Sequence, residues 1–151
     1  MGDRSANLQL AIERLSEAGA VKTVSSFYET EPLELRDQPW FVNCVVALET
    51  NQSPQALLQR LLAIEEEMGR VRVKDKGPRL IDIDIVLFGG RVIEEPGLKI
   101  PHPAMQRRRF VLEPLVELAP EARHPVLRKT VREILAGLGP GQSVCRLKID
   151  T

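Results

Sequence analysis

Two aspartates alternate with isoleucines in a strongly apolar, β-branched stretch at residues 80–88. Such a stretch predicts a strand. Because strand side chains alternate between faces, Asp82 and Asp84 would share one face, with their Cβ atoms roughly 7 Å apart. Two like charges side by side are costly unless a cation compensates them, and Mg²⁺ takes oxygen ligands from one or two carboxylates and from substrate phosphates. The pair therefore predicts a magnesium site, with a strand that turns both carboxylates to solvent as the alternative.

Basic residues stand at every second position just before this strand. They are Arg70, Arg72, Lys74 and Lys76, and Arg79 follows them. If the backbone there is extended, the first four side chains point to one side. A polyphosphate–Mg²⁺ complex requires such cations, since its charge exceeds what the metal neutralises. A solvated charged loop is the alternative interpretation.

A histidine between two prolines, His102, is followed five residues later by the basic cluster Arg107, Arg108 and Arg109. The prolines constrain the backbone, so His102 is not expected in a regular core element. Together with the arginines it could contribute to an anion site. An ordinary surface loop fits the same pattern.

An aromatic ring and an amide would share one face at the start of another predicted strand. These residues are Phe41 and Asn43. Such a pair suits a flat heterocycle, which stacks on the ring and forms hydrogen bonds at its edge. The alternative is that Phe41 packs in the core and Asn43 ends a strand.

Hydrophobic periodicity predicts the elements that must position these residues. We expect a helix through Leu8 and Leu15 that ends at Gly19, and a second that begins at the N-cap Ser53 and ends at Gly69. Strands are predicted over 21–30, 41–50 and 80–88, with a two-residue turn at 89–90 that returns a short strand through 91–93, and with loops at 31–39 and 96–103. Helical stretches follow through 105–115 and, after a capping box at Thr130 and Glu133, through 131–138. This order predicts an α+β fold with helices on an antiparallel sheet.

The bulk composition argues against several classes of protein. Lys plus Arg and Asp plus Glu both total 21 in 151 residues, so no global field favours nucleic acid or membrane. The length predicts one domain over residues 1–151. Two cysteines are too few for a disulfide framework, and we expect Cys44 to be a small core residue. The sequence shows no targeting or spanning segment, so the expected location is the cytoplasm.

Taken in order, these motifs resemble the 6-hydroxymethyl-7,8-dihydropterin pyrophosphokinase family of the folate pathway. The matching segments are residues 24–30 (VSSFYET), 38–43 (QPWFVN), Glu65 with 69–72 (GRVR), 77–84 (GPRLIDID), 100–103 (IPHP), 114–115 (PL) and 119–120 (AP). They cover nearly the whole chain. The Gly-Pro-Arg-x-x-Asp-x-Asp element followed by Pro-His is the most specific of them.

The resemblance implies transfer of pyrophosphate from ATP to the pterin hydroxymethyl group, with release of AMP. It implies that Asp82 and Asp84 bind two magnesium ions, and that Arg70 and Arg79 act with them in catalysis. The residues implied at ATP are Glu65, Arg70, Arg72, Arg79, His102 and Arg108, and those at the pterin are Thr30, Leu33, Phe41, Asn43 and Phe110. The loops 31–39 and 73–76 resemble mobile loops that close over the substrates.

The chain departs from the family pattern in three places. Family members begin with a strand and a Gly-Ser-Asn turn ahead of the Gly-Asp-Arg found here at 2–4. We therefore expect a ferredoxin-like βαββαβ arrangement without its first strand, plus a C-terminal helical extension. Lys76 stands where many members have a tryptophan, and Pro103 replaces an aromatic residue. A version extended by such a strand is expected to be more stable and less associated, because an open sheet exposes unpaired backbone groups.

Two other functions are compatible with this fold class. One is a truncated, inactive or weakly active member of the same family. The other is a non-enzymatic ferredoxin-like module, such as an RNA-recognition sheet. Aromatics at 4% and zero net charge weigh against the latter. We expect ATP and a pterin as ligands, no nucleic-acid or membrane partner, and a monomer.

Overall fold

The computed structural model describes residues 4–30, 41–70, 81–139 and 144–147. Helices and antiparallel strands are combined, which confirms the predicted α+β class. The helices are α1 (Arg4–Arg14), α2 (Pro54–Arg70), α3 (Arg109–Leu118) and α4 (Val131–Ala136), with 3₁₀ turns at Leu15–Glu17 and Met105–Arg107. The strands are β1 (Ala20–Val24), β2 (Tyr28–Thr30), β3 (Phe41–Asn43), β4 (Val46–Glu49), β5 (Ile93–Glu95), β6 (Leu98–Ile100) and β7 (Val144–Arg146). Within these ranges, no helix has the length and apolar character needed to cross a bilayer.

The described strands form three antiparallel sheets. β1 pairs with β4, β2 lies between β3 and β7, and β5 pairs with β6. In the β2–β3 register, Thr30 is opposite Phe41 and Tyr28 is opposite Asn43. Thr30 and Asn43 are therefore diagonal neighbours on one face, a distance that side chains can bridge.

The strands predicted as continuous over 21–30 and 41–50 are each divided in two, so this prediction was wrong. Both breaks occur where Ser25 meets Val45. The Ser25 N–H donates to the Val45 carbonyl and the Val45 N–H donates to the Ser25 hydroxyl, each over 2.9 Å. A side-chain oxygen thus takes the place of a backbone carbonyl, and the β1–β4 ladder does not continue into β2–β3. Such local competition from serine is invisible to strand propensity.

Helix α2 begins as the sequence predicts. Ser53 accepts the Ala56 N–H at 3.1 Å, and Pro54 occupies the first helical position. The buried side chains follow one face of the helix: Leu57, Leu61, Ile64 and Met68. They form one hydrophobic cluster with residues of α1 and with Ile81. Full burial of each such side chain contributes about 1.5–3 kcal/mol.

Residues 81–88 lie where three hydrophobic clusters meet. Ile83 packs against the cluster of α1 and α2, Leu87 against that of α3 and α4, and Phe88 against β5 and β6. The segment that carries both aspartates is therefore held by side chains from most of the described fold.

The same residues do not form a hydrogen-bonded strand with any described residue, so the strand predicted at 80–88 is corrected. The alternation of faces is nevertheless present, since Asp82 and Asp84 are exposed and Ile81 is buried. A cleft of about 570 Å³ lies between this segment and β4, and side chains of α1, α2 and α3 line it. β4 pairs with β1 and does not form a ladder with residues 81–88 across this cleft.

The predicted hairpin around Gly89 and Gly90 is also corrected. These residues form a turn, but the hairpin that follows joins β5 to β6 instead of returning along 81–88. Its loop is Pro96–Gly97, and Gly97 has a φ of +83°. A proline followed by a residue with positive φ is typical of a type II turn, which glycine adopts without strain.

Candidate active site

Asp82 and Asp84 are exposed on the side of the chain opposite the packed isoleucines. Between them, the backbone N–H of Ile83 donates to the Glu65 carboxylate on α2 over 2.5 Å. The sequence-predicted ligands therefore project outward from a segment that is fixed to the core by its apolar side chains and to α2 through its backbone.

His102 lies beside this segment. Its backbone N–H donates to the Val86 carbonyl over 2.9 Å, and its ring Nδ1 accepts the Ala104 N–H at 3.2 Å. Burial lowers the pKa of His102, Arg108 acts in the same direction, and Asp84 opposes them. Asp84 and Arg108 thus both act electrostatically on His102, and the neutral ring, which accepts at Nδ1, carries its proton on Nε2.

The three arginines at 107–109 have different surroundings. The Arg108 guanidinium lies 5.5 Å from the centroid of the Phe110 ring. Arg109 instead donates to the carbonyls of Leu138 at 3.1 Å and Gly139 at 2.8 Å, and forms an ion pair with Glu113. Arg107 is exposed. Of the three, Arg108 is the arginine whose charge acts on the His102 ring.

Three residues implied at the pterin are joined by hydrogen bonds. The Thr30 hydroxyl donates to Asn43 Oδ1 at 3.2 Å, and Asn43 Nδ2 donates to the Phe110 carbonyl at 2.6 Å. Thr30 is completely buried, while Asn43 is half-buried. Thr30 therefore holds the amide of Asn43 from the interior, and Asn43 retains one donor and one acceptor position for a ligand.

Several predicted site residues lie outside the described residues. Leu33, Arg72 and Arg79 belong to this group, as do the side chains of Phe41 and Arg70 and the loops 31–39 and 73–76. Their assignments remain predictions. The Arg70 backbone ends α2 and the Phe41 backbone pairs with Thr30, so each is attached to a described element.

The donor set fits magnesium that is shared with a phosphate substrate. No cluster of three or more His, Cys, Asp or Glu capable of holding a metal occurs among the described residues. Two exposed carboxylates, with no third such ligand among the described residues, match Mg²⁺, which commonly keeps waters and completes its shell with substrate phosphates. Burial raises the pKa of the Cys44 thiol to about 11, so it offers no thiolate for a softer metal at neutral pH.

The sequence analysis missed a polar network that joins β2, β7 and α3. Glu117 accepts the N–H and hydroxyl of Ser26, both at 2.9 Å, and the Tyr28 hydroxyl at 2.7 Å. Burial opposes ionisation of Glu117, but these bonds outweigh it and hold its pKa below the usual value. Arg146 lies 3.5 Å from the carboxylate. Tyr28 and Glu117 are 89 positions apart, which leaves no local signal for the pair.

Comparison with known proteins decides the family. The model of the 7,8-dihydro-6-hydroxymethylpterin-pyrophosphokinase (HPPK) family matches residues 1–120. The chain belongs to this family. It is 53% identical to the 2-amino-4-hydroxy-6-hydroxymethyldihydropteridine pyrophosphokinase of Pseudomonas aeruginosa. The aligned region of 115 residues covers 76% of this chain and 70% of that protein. The corresponding Methylorubrum extorquens protein is 41% identical over 142 residues, or 93% of this chain and 89% of that protein.

Longer relatives contain an HPPK-like region as one part of a larger chain. The folic acid synthesis protein fol1 of Schizosaccharomyces pombe is 42% identical over 146 residues, which is 95% of this chain and 20% of that protein. The match with the Pneumocystis carinii protein of the same name spans 17% of its length. The chain therefore covers about a fifth of these fungal proteins and most of the bacterial ones.

Proposed function

We propose that the chain transfers pyrophosphate from ATP to 6-hydroxymethyl-7,8-dihydropterin, giving the pterin diphosphate and AMP, in folate biosynthesis. The observation that carries this proposal is that Phe110 and Arg108 connect the residues proposed to bind the pterin with those proposed to bind magnesium and phosphate. The Phe110 carbonyl accepts from Asn43, its ring contacts Arg108, and Arg108 acts on His102 together with Asp84. These contacts support a proposed heterocycle site that adjoins a proposed metal–phosphate site, as the transfer requires.

In the proposed reaction the pterin hydroxymethyl oxygen attacks the β-phosphorus of ATP. The bond from that phosphorus to the oxygen bridging the α- and β-phosphates breaks, AMP leaves, and the hydroxyl proton passes to solvent. Positioning and charge neutralisation account for most catalysis of this type, so no dedicated protein base is needed. We propose that Asp82 and Asp84 hold two magnesium ions. These ions would neutralise charge on the attacking and leaving oxygens.

Asn43 orients the pterin. Its amide is fixed by Thr30 and by the Phe110 carbonyl, so the remaining hydrogen-bonding positions have defined directions. A flat heterocycle can meet them along its edge and stack on an aromatic ring. Phe110 is described beside this amide, and we extend the pocket to Leu33 and Phe41 by the family resemblance.

His102 and Arg108 bind the triphosphate. With Nδ1 engaged by the Ala104 N–H, neutral His102 presents Nε2–H as a donor to a phosphate oxygen. Arg108 adds positive charge beside it, with its guanidinium fixed over the Phe110 ring. By the resemblance we add Arg70, Arg72 and Arg79 to this group, which would neutralise the charge that remains after magnesium binds.

We further propose a single catalytic domain that acts as a monomer in the cytoplasm. The even charge balance, 21 basic against 21 acidic residues, gives no attraction to membrane or nucleic acid. The weakly active alternative is favoured by one observation, the cleft beside residues 81–88. A segment that forms no ladder with any described residue constrains its two carboxylates less than a paired strand would.

The proposal is tested by product analysis. Wild-type protein is incubated with ATP, Mg²⁺ and 6-hydroxymethyl-7,8-dihydropterin, and the products are separated by ion-exchange chromatography. AMP and pterin diphosphate in equal amounts, both lost on addition of EDTA, are expected. ADP in place of AMP would refute pyrophosphate transfer. Absence of any pterin-dependent product in a folded sample would favour the weakly active alternative.

A further inference from the structure

Glu65 lies on the part of α2 that meets the aspartate segment. Its helical neighbours Ile64 and Met68 are 0% and 1% exposed, and they share a hydrophobic cluster with Ile81. Glu65 is half-buried, and its Oε2 accepts the Ile83 N–H at 2.5 Å. Hydrogen bonds with an ionised acceptor are shorter and roughly twice as strong as neutral ones.

Ile83 separates Asp82 from Asp84, so this bond restrains the main chain between the two predicted metal ligands. Within the described residues, no strand ladder restrains residues 81–88. A second backbone attachment is at Val86, whose carbonyl accepts the His102 N–H. The relative positions of the two carboxylates depend on backbone dihedrals near residue 83, which the Glu65 bond limits.

We propose that Glu65 is a positioning residue: it fixes the spacing of Asp82 and Asp84 through the Ile83 N–H, rather than by touching the nucleotide. This role differs from the ATP contact that the family resemblance implies. This role requires a side chain long enough to place an acceptor oxygen at the Ile83 N–H. The negative charge only strengthens the bond. The kinetic consequence rests on the proposed function, whereas the structural consequence does not.

Four variants distinguish the effects of side-chain length, of the carboxylate charge and of a general loss of protein stability. Glu65→Ala removes the acceptor, Glu65→Gln keeps an oxygen at the same reach without charge, and Glu65→Asp keeps the charge but shortens the reach. The matched control is Glu67→Ala, which removes another partly buried glutamate of α2. Glu67 binds Arg14 of α1 and has no described contact with residues 81–88.

Two measurements need no turnover. Amide hydrogen exchange reports the Ile83 N–H, and calorimetric titration with Mg²⁺, in the presence of a non-hydrolysable ATP analogue, reports the metal site. We expect Ile83 exchange to accelerate about tenfold or more in the Ala and Asp variants, since a lost bond to a charged group is worth about 1.5–3 kcal/mol. Apparent magnesium affinity should fall about tenfold, as for other residues that orient ligands. Glu65→Gln should restore most of both, and Glu67→Ala should change neither.

Three results would overturn the proposal. One is unchanged Ile83 exchange in Glu65→Asp, or in a folded Glu65→Ala. Another is a Gln variant that retains Ile83 protection but raises the KM for ATP as much as Ala does, which would show direct nucleotide contact. The third is unaltered magnesium affinity in all variants. Absence of AMP formation by the wild type would instead refute the proposed function and leave these readouts interpretable.

Discussion

Thr30 gives the sharpest prediction for the pterin side of the site. Its hydroxyl donates to Asn43 Oδ1 at 3.2 Å, and the residue is 0% exposed. Thr30→Val is nearly isosteric and removes only this donor. The amide of Asn43 then keeps its bond to the Phe110 carbonyl but can rotate about it, so its edge is no longer held in one direction.

The size of the effect follows from the type of bond lost. A neutral hydrogen bond contributes about 0.5–1.5 kcal/mol, which corresponds to about a twofold to tenfold change in binding. We therefore expect Thr30→Val to raise the KM for the pterin by that factor and to leave the KM for ATP unchanged. Thr30→Ser keeps the hydroxyl, so it should retain the pterin KM although it loses a buried methyl group and some stability.

Steady-state kinetics with each substrate varied in turn provides the assay. The matched control is Thr50→Val, which removes a hydroxyl that donates to the Ala18 carbonyl over 2.8 Å, away from Asn43. A double-mutant cycle with Asn43→Ala should show coupling, because both changes act on one amide. An unchanged pterin KM in Thr30→Val, or an equal loss in Thr50→Val, would refute the reasoning.

Three further predictions concern stability. Neutral His124 accepts the N–H groups of Val126 and Leu127 at 3.2 and 3.0 Å, and burial lowers its pKa. The contribution of His124 to the free energy of unfolding should be complete above the unfolded pKa of about 6.5 and should fall as the pH drops toward the lower folded pKa. Urea unfolding would contradict this if the free energy of unfolding stayed constant or rose as the pH was lowered through that range. Thr130→Ala removes the capping box with Glu133 and should cost about 1 kcal/mol by the same method, with no cost meaning that the cap is dispensable. An apolar strand added ahead of α1 should fill the cleft and raise Tm. If the extended and unextended proteins had equal Tm and equal monomer mass, the added strand would not stabilise the sheet.

The helices were predictable because their signals are local. Ser53 with Pro54 marked the start of α2, and Thr130 with Glu133 marked that of α4; the structure shows both caps. The α+β class followed from the same patterns. The alternation of isoleucine and aspartate predicted that Asp82 and Asp84 share one face; both are exposed, whereas Ile81 is buried and Ile83 is half-buried.

The errors arose where a distant partner decides the outcome. Ser25 divides two strands only because Val45 lies opposite, and residues 81–88, which border a cleft, form no ladder with any described residue. β7 is three residues long and pairs with β2 from the far end of the chain. Short sequence windows hold no information on such pairings.

The sequence motifs selected residue types for the candidate site but could not predict how those residues are arranged. Asp84, His102 and Arg108 were chosen from motifs, and in the structure Asp84 and Arg108 both act on the pKa of His102. The family resemblance singled out Arg108, but residue type alone could not distinguish Arg107, Arg108 and Arg109. Only the fold shows that Arg109 is used by the Leu138 and Gly139 carbonyls.

The central claim is that Asp82 and Asp84 hold the magnesium that makes pyrophosphate transfer possible. The most direct measurement is pterin-dependent AMP release by wild type, Asp82→Ala and Asp84→Ala, with Glu94→Ala as a control at an exposed acidic residue of β5. We predict a loss of at least about a hundredfold in each aspartate variant, since even residues that only orient ligands cost up to that factor. The control should keep wild-type activity. Wild-type rates in either folded aspartate variant would contradict the account.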